Sequence, residues 1–250
     1  MKKFELTAEF VTNIFGKKLF RIKALVAFGD VSAGELGGFV EKEENLSNNG
    51  DAWVSGNAWV SGNAQVSGDA WVSGNAQVYG DAWVYGNAWV SGNAQVSGNA
   101  QVSGDAQVYG DAWVSGNAQV SGDALVSGNA QVYGDAWVSG NAWVSGNAQV
   151  SGDAQVSGDA QVYGNAQVYG NADYAVVTGF GRCFRATTFF RCKDKIFRVQ
   201  CGCFYGDLAK FREIVKKTHG DSKYAKEYLA IADLMELHFS DEEENQEADK

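Results

Sequence analysis

The sequence predicts an all-β-dominated chain: a parallel β-helix of about seven coils, preceded by a β-hairpin cap and followed by a small α+β module. Three observations predict it. One phrase, Gly-(Asp/Asn)-Ala-X-Val-(Ser/Tyr), runs twenty times without gap or insertion from Gly50 to Tyr169. Within the phrase, small apolar residues fall at alternate positions, which is strand spacing. Outside the run the composition changes, and Lys, Arg and Phe appear only there.

Each hexad reads as a short strand and a corner. Ala and Val lie two residues apart, so they share one side of an extended segment, and X between them points to the other. Gly with Asn or Asp recurs every sixth residue, and these types tolerate the tight bends that corners require. One hexad cannot bury its Ala-Val face alone, so coils must stack at roughly 4.8 Å. A second period supports a coil of three hexads. Residues 57–110 and 111–164 differ at four of 54 positions, namely Asn57 against Asp111, Trp71 against Leu125, Tyr85 against Ser139 and Asn99 against Asp153. That length is three times eighteen, so an eighteen-residue coil keeps every copied residue on its original face. The stack would be roughly 32 Å tall.

The period of six, with an aliphatic residue two places after a small one, resembles the hexapeptide-repeat β-helix proteins. The resemblance sharpens before the first hexad. Gly37, Gly38, Phe39, Val40, Asn45, Leu46 and Ser47 look like the lead-in of prophage-type and enterobacterial members, whose function is generally unassigned. It covers roughly residues 20–170 and implies a left-handed coil.

The flanks read differently. "KKFELTAEFV" and "KLFRIKALVAF" around "TNIFGK" predict a hairpin, so residues 1–49 form a β cap on the end of the coil. The coil itself spans 50–172. Residues 173–240 predict an α+β module: two or three strands with a turn at "CKDK", then a helix capped by Asp207 and stopped by Gly220, then a second helix with apolar residues at Tyr224, Tyr228, Ile231, Leu234, Met235 and Leu237. Residues 241–250, "DEEENQEADK", read as an acidic disordered tail.

The net charge of −10 is unevenly spread. Residues 1–49 balance, the hexads hold nine Asp and no base, and residues 176–240 carry twelve bases against seven acids. No apolar run approaches the roughly 18 residues of a membrane span, and the N-terminus lacks a signal-type apolar core. The expectation is a cytoplasmic protein with reduced thiols and no membrane association.

Chemistry is sparse. Many proteins of the resembled family are trimeric acyltransferases, and the resemblance would imply a catalytic His and an acyl carrier or coenzyme A. The coil has no His and no excursion loop, and His219 and His238 fall in the predicted helices. The reading is therefore not an enzyme, with no catalytic residues and no cofactor; a degenerate acyltransferase is the alternative. Cys183, Cys192, Cys201 and Cys203 lack paired metal-knuckle spacing, with Cys201 and Cys203 on one side of a strand, so they read as buried structural thiols rather than metal ligands. Asp51, Asp69, Asp105, Asp123 and Asp159 share one corner column, which raises acidic DNA mimicry as a second alternative, but their spacing does not follow phosphates. The bases of residues 176–240 are scattered, which argues against nucleic-acid binding.

The X slot remains. All eight Trp occupy it, and X points outward. Taken every eighteen residues, one column reads Trp53, Trp71, Trp89, Gln107, Leu125, Trp143, Gln161. Trp53, Trp71, Trp89, Leu125 and Trp143 are the candidate interaction face. The expected role is structural or binding: a rod-like coil that forms a homo-oligomer, or docks a bacterial or phage protein partner in a prophage or host-defence setting.

Overall fold

The computed structural model describes residues 2–240, and the predicted acidic tail lies outside them. The chain is a β-solenoid of about seven turns, with strands before it and two helices after it. Strands β1 (Phe4–Thr12), β2 (Lys18–Ala24) and β3 (Leu36–Val40) are followed by twenty two-residue strands, β4 (Trp53–Val54) to β23 (Gln167–Val168), one X-Val pair per hexad. These stack in parallel at a separation of eighteen residues, so that Trp71 pairs with Trp89 and Gln107 with Leu125. Three sheets form the walls of the coil. One is seven-stranded and carries the column from Trp53 to Gln161. A six-stranded sheet starts at Gln65, and a ten-stranded sheet includes β1, β2 and β3 ahead of Trp59.

Every Ala and Val of the twenty hexads is fully buried. The corner glycines hold φ between +64° and +77°, a region that costs an L side chain roughly 1–2 kcal/mol. At Gly98 there is also no room: a Cβ would lie 3.0 Å from both the N and the O of Gly116 in the next coil.

The two ends of the coil expose opposite polarity, and each meets its complement. Repeat N–H groups donate toward the following coil, as in Asn57 N–H to Gly74 O, Trp59 N–H to Ala76 O and Ser61 N–H to Val78 O, at 2.7–3.0 Å along most of the stack. The first coil is therefore left with carbonyls that no coil satisfies. Donors from the N-terminal segment take them. Lys3 Nζ donates to Gly50 O and Ala52 O at 3.0 and 2.8 Å. The Phe39 and Glu41 amides donate to Ala58 O and Val60 O. Asn45 Nδ2 donates to Gly62 O and Ala64 O, and the Ser47 amide to Val66 O. The last coil is left with amides, and side-chain oxygens accept them: Asn171 Oδ1 from Gln155, Thr188 Oγ1 from Gln161 and Asp173 Oδ2 from Tyr169, each at 2.9 Å.

After the coil, β24 (Tyr174–Val177), β25 (Thr187–Arg191), β26 (Phe197–Cys201) and β27 (Phe204–Asp207) form an antiparallel sheet. The turn between β25 and β26 is at "CKDK", as the sequence predicts. Helices α1 (Leu208–His219) and α2 (Lys223–Phe239) follow, with Asp207 accepting from Lys210 N at the start of α1. Strand alternation on β25 serves two cores. Phe190 joins the core of the coil, while Phe189 joins Val199, Phe211, Tyr228 and Phe239 beneath the helices.

The expected placement of the thiols needs correction. Cys192 is buried, but Cys183 and Cys203 are exposed and Cys201 is half-buried. Cys201 ends β26 and Cys203 sits in the turn before β27, so the two do not share a strand face. A tight turn with Gly202 at φ +59° replaces the continuous strand that the alternation suggested.

Candidate functional site

The outward columns form in register because the corners repeat every six residues and each coil takes three. Trp53, Trp71, Trp89, Leu125 and Trp143 do lie on one sheet. Trp53 is the exception to outward exposure. It is fully buried, its ring 5.4 Å from Phe28 in an edge contact, and Gly37 leaves space for it, since a Cβ there would meet Trp53 Cζ2 at 2.6 Å. As the first X it lies under the lead-in segment, so it belongs to the cap core. Its Nε1 has no hydrogen-bond partner among the described residues.

Five of the seven remaining tryptophans are pinned by a second slot of the phrase. The indole Nε1 donates to the Ser that stands two residues after X in the preceding coil. The pairs are Trp71 with Ser55, Trp89 with Ser73, Trp113 with Ser97, Trp137 with Ser121 and Trp143 with Ser127, at 3.0–3.3 Å. Each ring thus leans back over a small neighbour. Where that neighbour is Tyr, the next X is Gln or, after Tyr109, Leu125, never Trp; Gln95 accepts from Tyr79 and Gln101 from Tyr85. Sixteen residues before Trp71, Trp83, Trp89, Trp113, Trp137 and Trp143 the slot is always Ser. The bulky X residue and the bulky Tyr exclude one another, and this explains part of the Trp/Gln alternation.

The face is consequently an aromatic band rather than a tryptophan ladder. Trp89 and Trp143 are the exposed tryptophans on it, at 49% and 36%, while Trp71 and Leu125 are half-buried. Tyr109 and Tyr163 complete it, with Tyr163 in an edge contact with Trp143 at 5.1 Å. Burial, and then Tyr109, push the Tyr163 hydroxyl up to about 12, so it is a neutral hydrogen-bond donor at physiological pH. Trp83, Trp113 and Trp137 are equally exposed on the other two sheets, so exposure alone does not single this face out.

The corners are explained by amide ladders. Asn57, Asn75 and Asn93 each donate Nδ2 to the next side chain, and the run ends at Asp111, whose carboxylate can only accept. Asp81, Asp105, Asp135 and Asp159 accept from Asn in the same way. These acids act as corner residues. His219 lies in the last turn of α1, 5.9 Å from the Tyr228 ring, and His238 lies exposed on α2. Among the described residues no three His, Cys, Asp or Glu converge as metal ligands, and no helix is long and apolar enough to cross a membrane.

Against this geometry, residues 88–179 match the family model described as Bactofilin, polymer-forming cytoskeletal. Residues 64–80 and 76–92 each match the YdcK β-solenoid repeat. No curated protein matches the chain.

Proposed function

We propose that this chain is a non-enzymatic structural protein that self-associates side by side, through the outer face of its seven-stranded sheet. The observation that carries the reading is that the coil is capped at both ends while this face leaves Trp89, Tyr109 and Trp143 open along its length. End-on stacking would have to displace Lys3 and Asn45 at one end or Thr188 and Asp173 at the other, whereas the band is open. Its similarity over residues 88–179 to a polymer-forming family supports a second copy as the partner. A foreign bacterial or phage protein has no such support. The free thiols suit a reducing compartment, and the reading places the assembly in the cytoplasm.

The band has the layout of a twofold contact. Trp89 and Trp143 are equally far from the midpoint between Gln107 and Leu125. A twofold axis there lays Trp89 of one copy on Trp143 of the other, with the Leu125 side chains near the centre. Trp89 and Trp143 expose about half and a third of their surface, and Tyr109, Tyr163, Trp71 and Leu125 extend the apolar patch around them.

The test uses a substitution the fold already accepts, because Gln occupies X in eleven hexads. Light scattering on the full chain should give an oligomer, and the double variant Trp89→Gln/Trp143→Gln should fall to a monomer with unchanged circular dichroism. A wild-type chain that is strictly monomeric at high concentration overturns the reading, and so does a variant that keeps the full oligomer.

A further inference from the structure

The C-terminal sheet and helices form a half-open cavity of about 220 Å³ that is separate from the aromatic band. Phe204, Phe211, Ile214 and Val215 give it an apolar wall. Arg182 and Arg185 stand exposed beside it, and neither forms an ion pair or side-chain hydrogen bond with another described residue. We propose that this cavity is a binding site for a small carboxylate with an apolar body, the carboxylate held by Arg182 and Arg185 and the body lying against Phe204, Phe211 and Ile214.

The approach to the cavity is held in shape. Gly181 has φ +70°, its N–H donates to Glu227 Oε2 at 3.0 Å, and a Cβ there would lie 2.1 Å from the Tyr228 hydroxyl oxygen. Only glycine lets the chain cross Tyr228 so closely. Phe184 has φ +52°, a left-handed conformation rare for a bulky residue. That single turn sends the Phe184 ring outward, 70% exposed, while Arg182, Cys183 and Arg185 all line the cavity. Strain of this kind concentrates at ligand sites. Gly202 completes the arrangement. The Arg185 Nη1 lies 2.6 Å from where its Cβ would be, so the guanidinium rests on the turn between Cys201 and Cys203.

The chemistry of the walls selects the ligand. A planar guanidinium donates two parallel hydrogen bonds to a carboxylate, and two such groups at one rim favour an anion over a neutral ligand. An apolar interior of this size rejects a fully solvated inorganic ion. The Tyr228 hydroxyl, raised to about 12 chiefly by burial, stays protonated and adds a neutral donor. Cys183 and Cys203 are exposed at the same cavity, so their alkylation reports its occupancy.

The test uses the full chain, with 4-phenylbutyrate as the probe and its neutral amide as the control. Alkylation of Cys183 and Cys203 by N-ethylmaleimide is followed by mass spectrometry. Phenylbutyrate should slow alkylation saturably, about tenfold at ten times its dissociation constant, and the amide should not. Arg182→Gln/Arg185→Gln should abolish protection, measured as the ratio of that variant's own alkylation rates with and without phenylbutyrate, since the two guanidiniums flank Cys183 and also set its ligand-free rate. Ile214→Trp, on an exposed helix position, should abolish it with both arginines present. Equal protection by the amide overturns the proposal, as does no protection up to about 10 mM, the weak limit for a specific small ligand.

Discussion

The coil and the C-terminal module bury their cores by opposite means. The coil repeats one small contact: Ala and Val of each hexad stack on their counterparts eighteen residues away, and larger side chains such as Leu46 and Phe190 enter this core only from the segments that cover its ends. The module buries single large residues, Phe189, Phe211, Tyr228, Met235 and Phe239, each in a different contact. Repeated contacts are redundant, since each coil is supported by two like neighbours. Unrepeated contacts are not, and one lost aromatic has no substitute. The two regions should therefore differ in how they fail, and all eight Trp lie in the hexads, so tryptophan fluorescence reports the coil and its N-terminal cap but not the module, while helical circular dichroism is dominated by the module.

Phe211→Ala should break the comparison most visibly. Phe211 packs edge-on to Phe189 at 6.1 Å and to Tyr228 at 5.8 Å, and it also contacts Phe204. Truncating a buried Phe costs about 3–5 kcal/mol. The helical signal should melt at a clearly lower temperature while the tryptophan transition hardly moves. If both transitions fall together, the module and the coil share one cooperative unit and the contrast is wrong.

A matched pair of glycines sharpens the coil side. Gly98 and Gly158 have nearly the same φ, +66° and +65°. A coil lies over Gly98, but nothing lies within 4 Å of a Cβ at Gly158, in the last coil. Both Gly→Ala variants should bear the left-handed cost of about 1–2 kcal/mol. Gly98→Ala should lose about 1 kcal/mol more, the cost of a poorly accommodated methyl in a packed site. Urea unfolding followed by tryptophan fluorescence gives both values. Equal losses would show that the coil opens locally to take the methyl.

This contrast also marks what was legible in the sequence. Ala100, Val102 and Gly98 could be placed because twenty copies vote for the same geometry. Three things resisted. Trp53 shares its phrase with Trp71, and only the non-repeating segment around Phe28 and Gly37 distinguishes a buried ring from an outward one. The Ser beneath six of the eight Trp was present in the phrase, but the coupling appears only at a separation of sixteen residues, across coils. Cys203 looked like a core thiol beside Cys201 because strand alternation carries no information about a turn such as Gly202. The capping bonds of Lys3 were unreadable for a related reason, since they span 47 and 49 residues with no period to reveal them.

Lys3 supplies the most specific test. Its ammonium is buried against Gly50 O and Ala52 O, and burial lowers its pKa from 10.5 to about 8, with Asp51 and Asp69 pulling partly the other way. In the unfolded chain the amine keeps its proton up to the ordinary value. Between pH 8 and 10.5 the unfolded state therefore holds more protons than the folded one, and stability contributed by this site rises with pH across that window. Below pH 8 both states are protonated and the slope vanishes. Cys192 and Tyr228, both raised by burial, act in the opposite sense above their ordinary values, so the wild type alone would mix the signs. The difference between wild type and Lys3→Met cancels these shared contributions. Urea midpoints of the tryptophan transition should show the wild type gaining on the variant from pH 8 to 10. A constant difference across that range would mean that Lys3 reaches water in the folded chain, and the first coil's carbonyls would then need another donor.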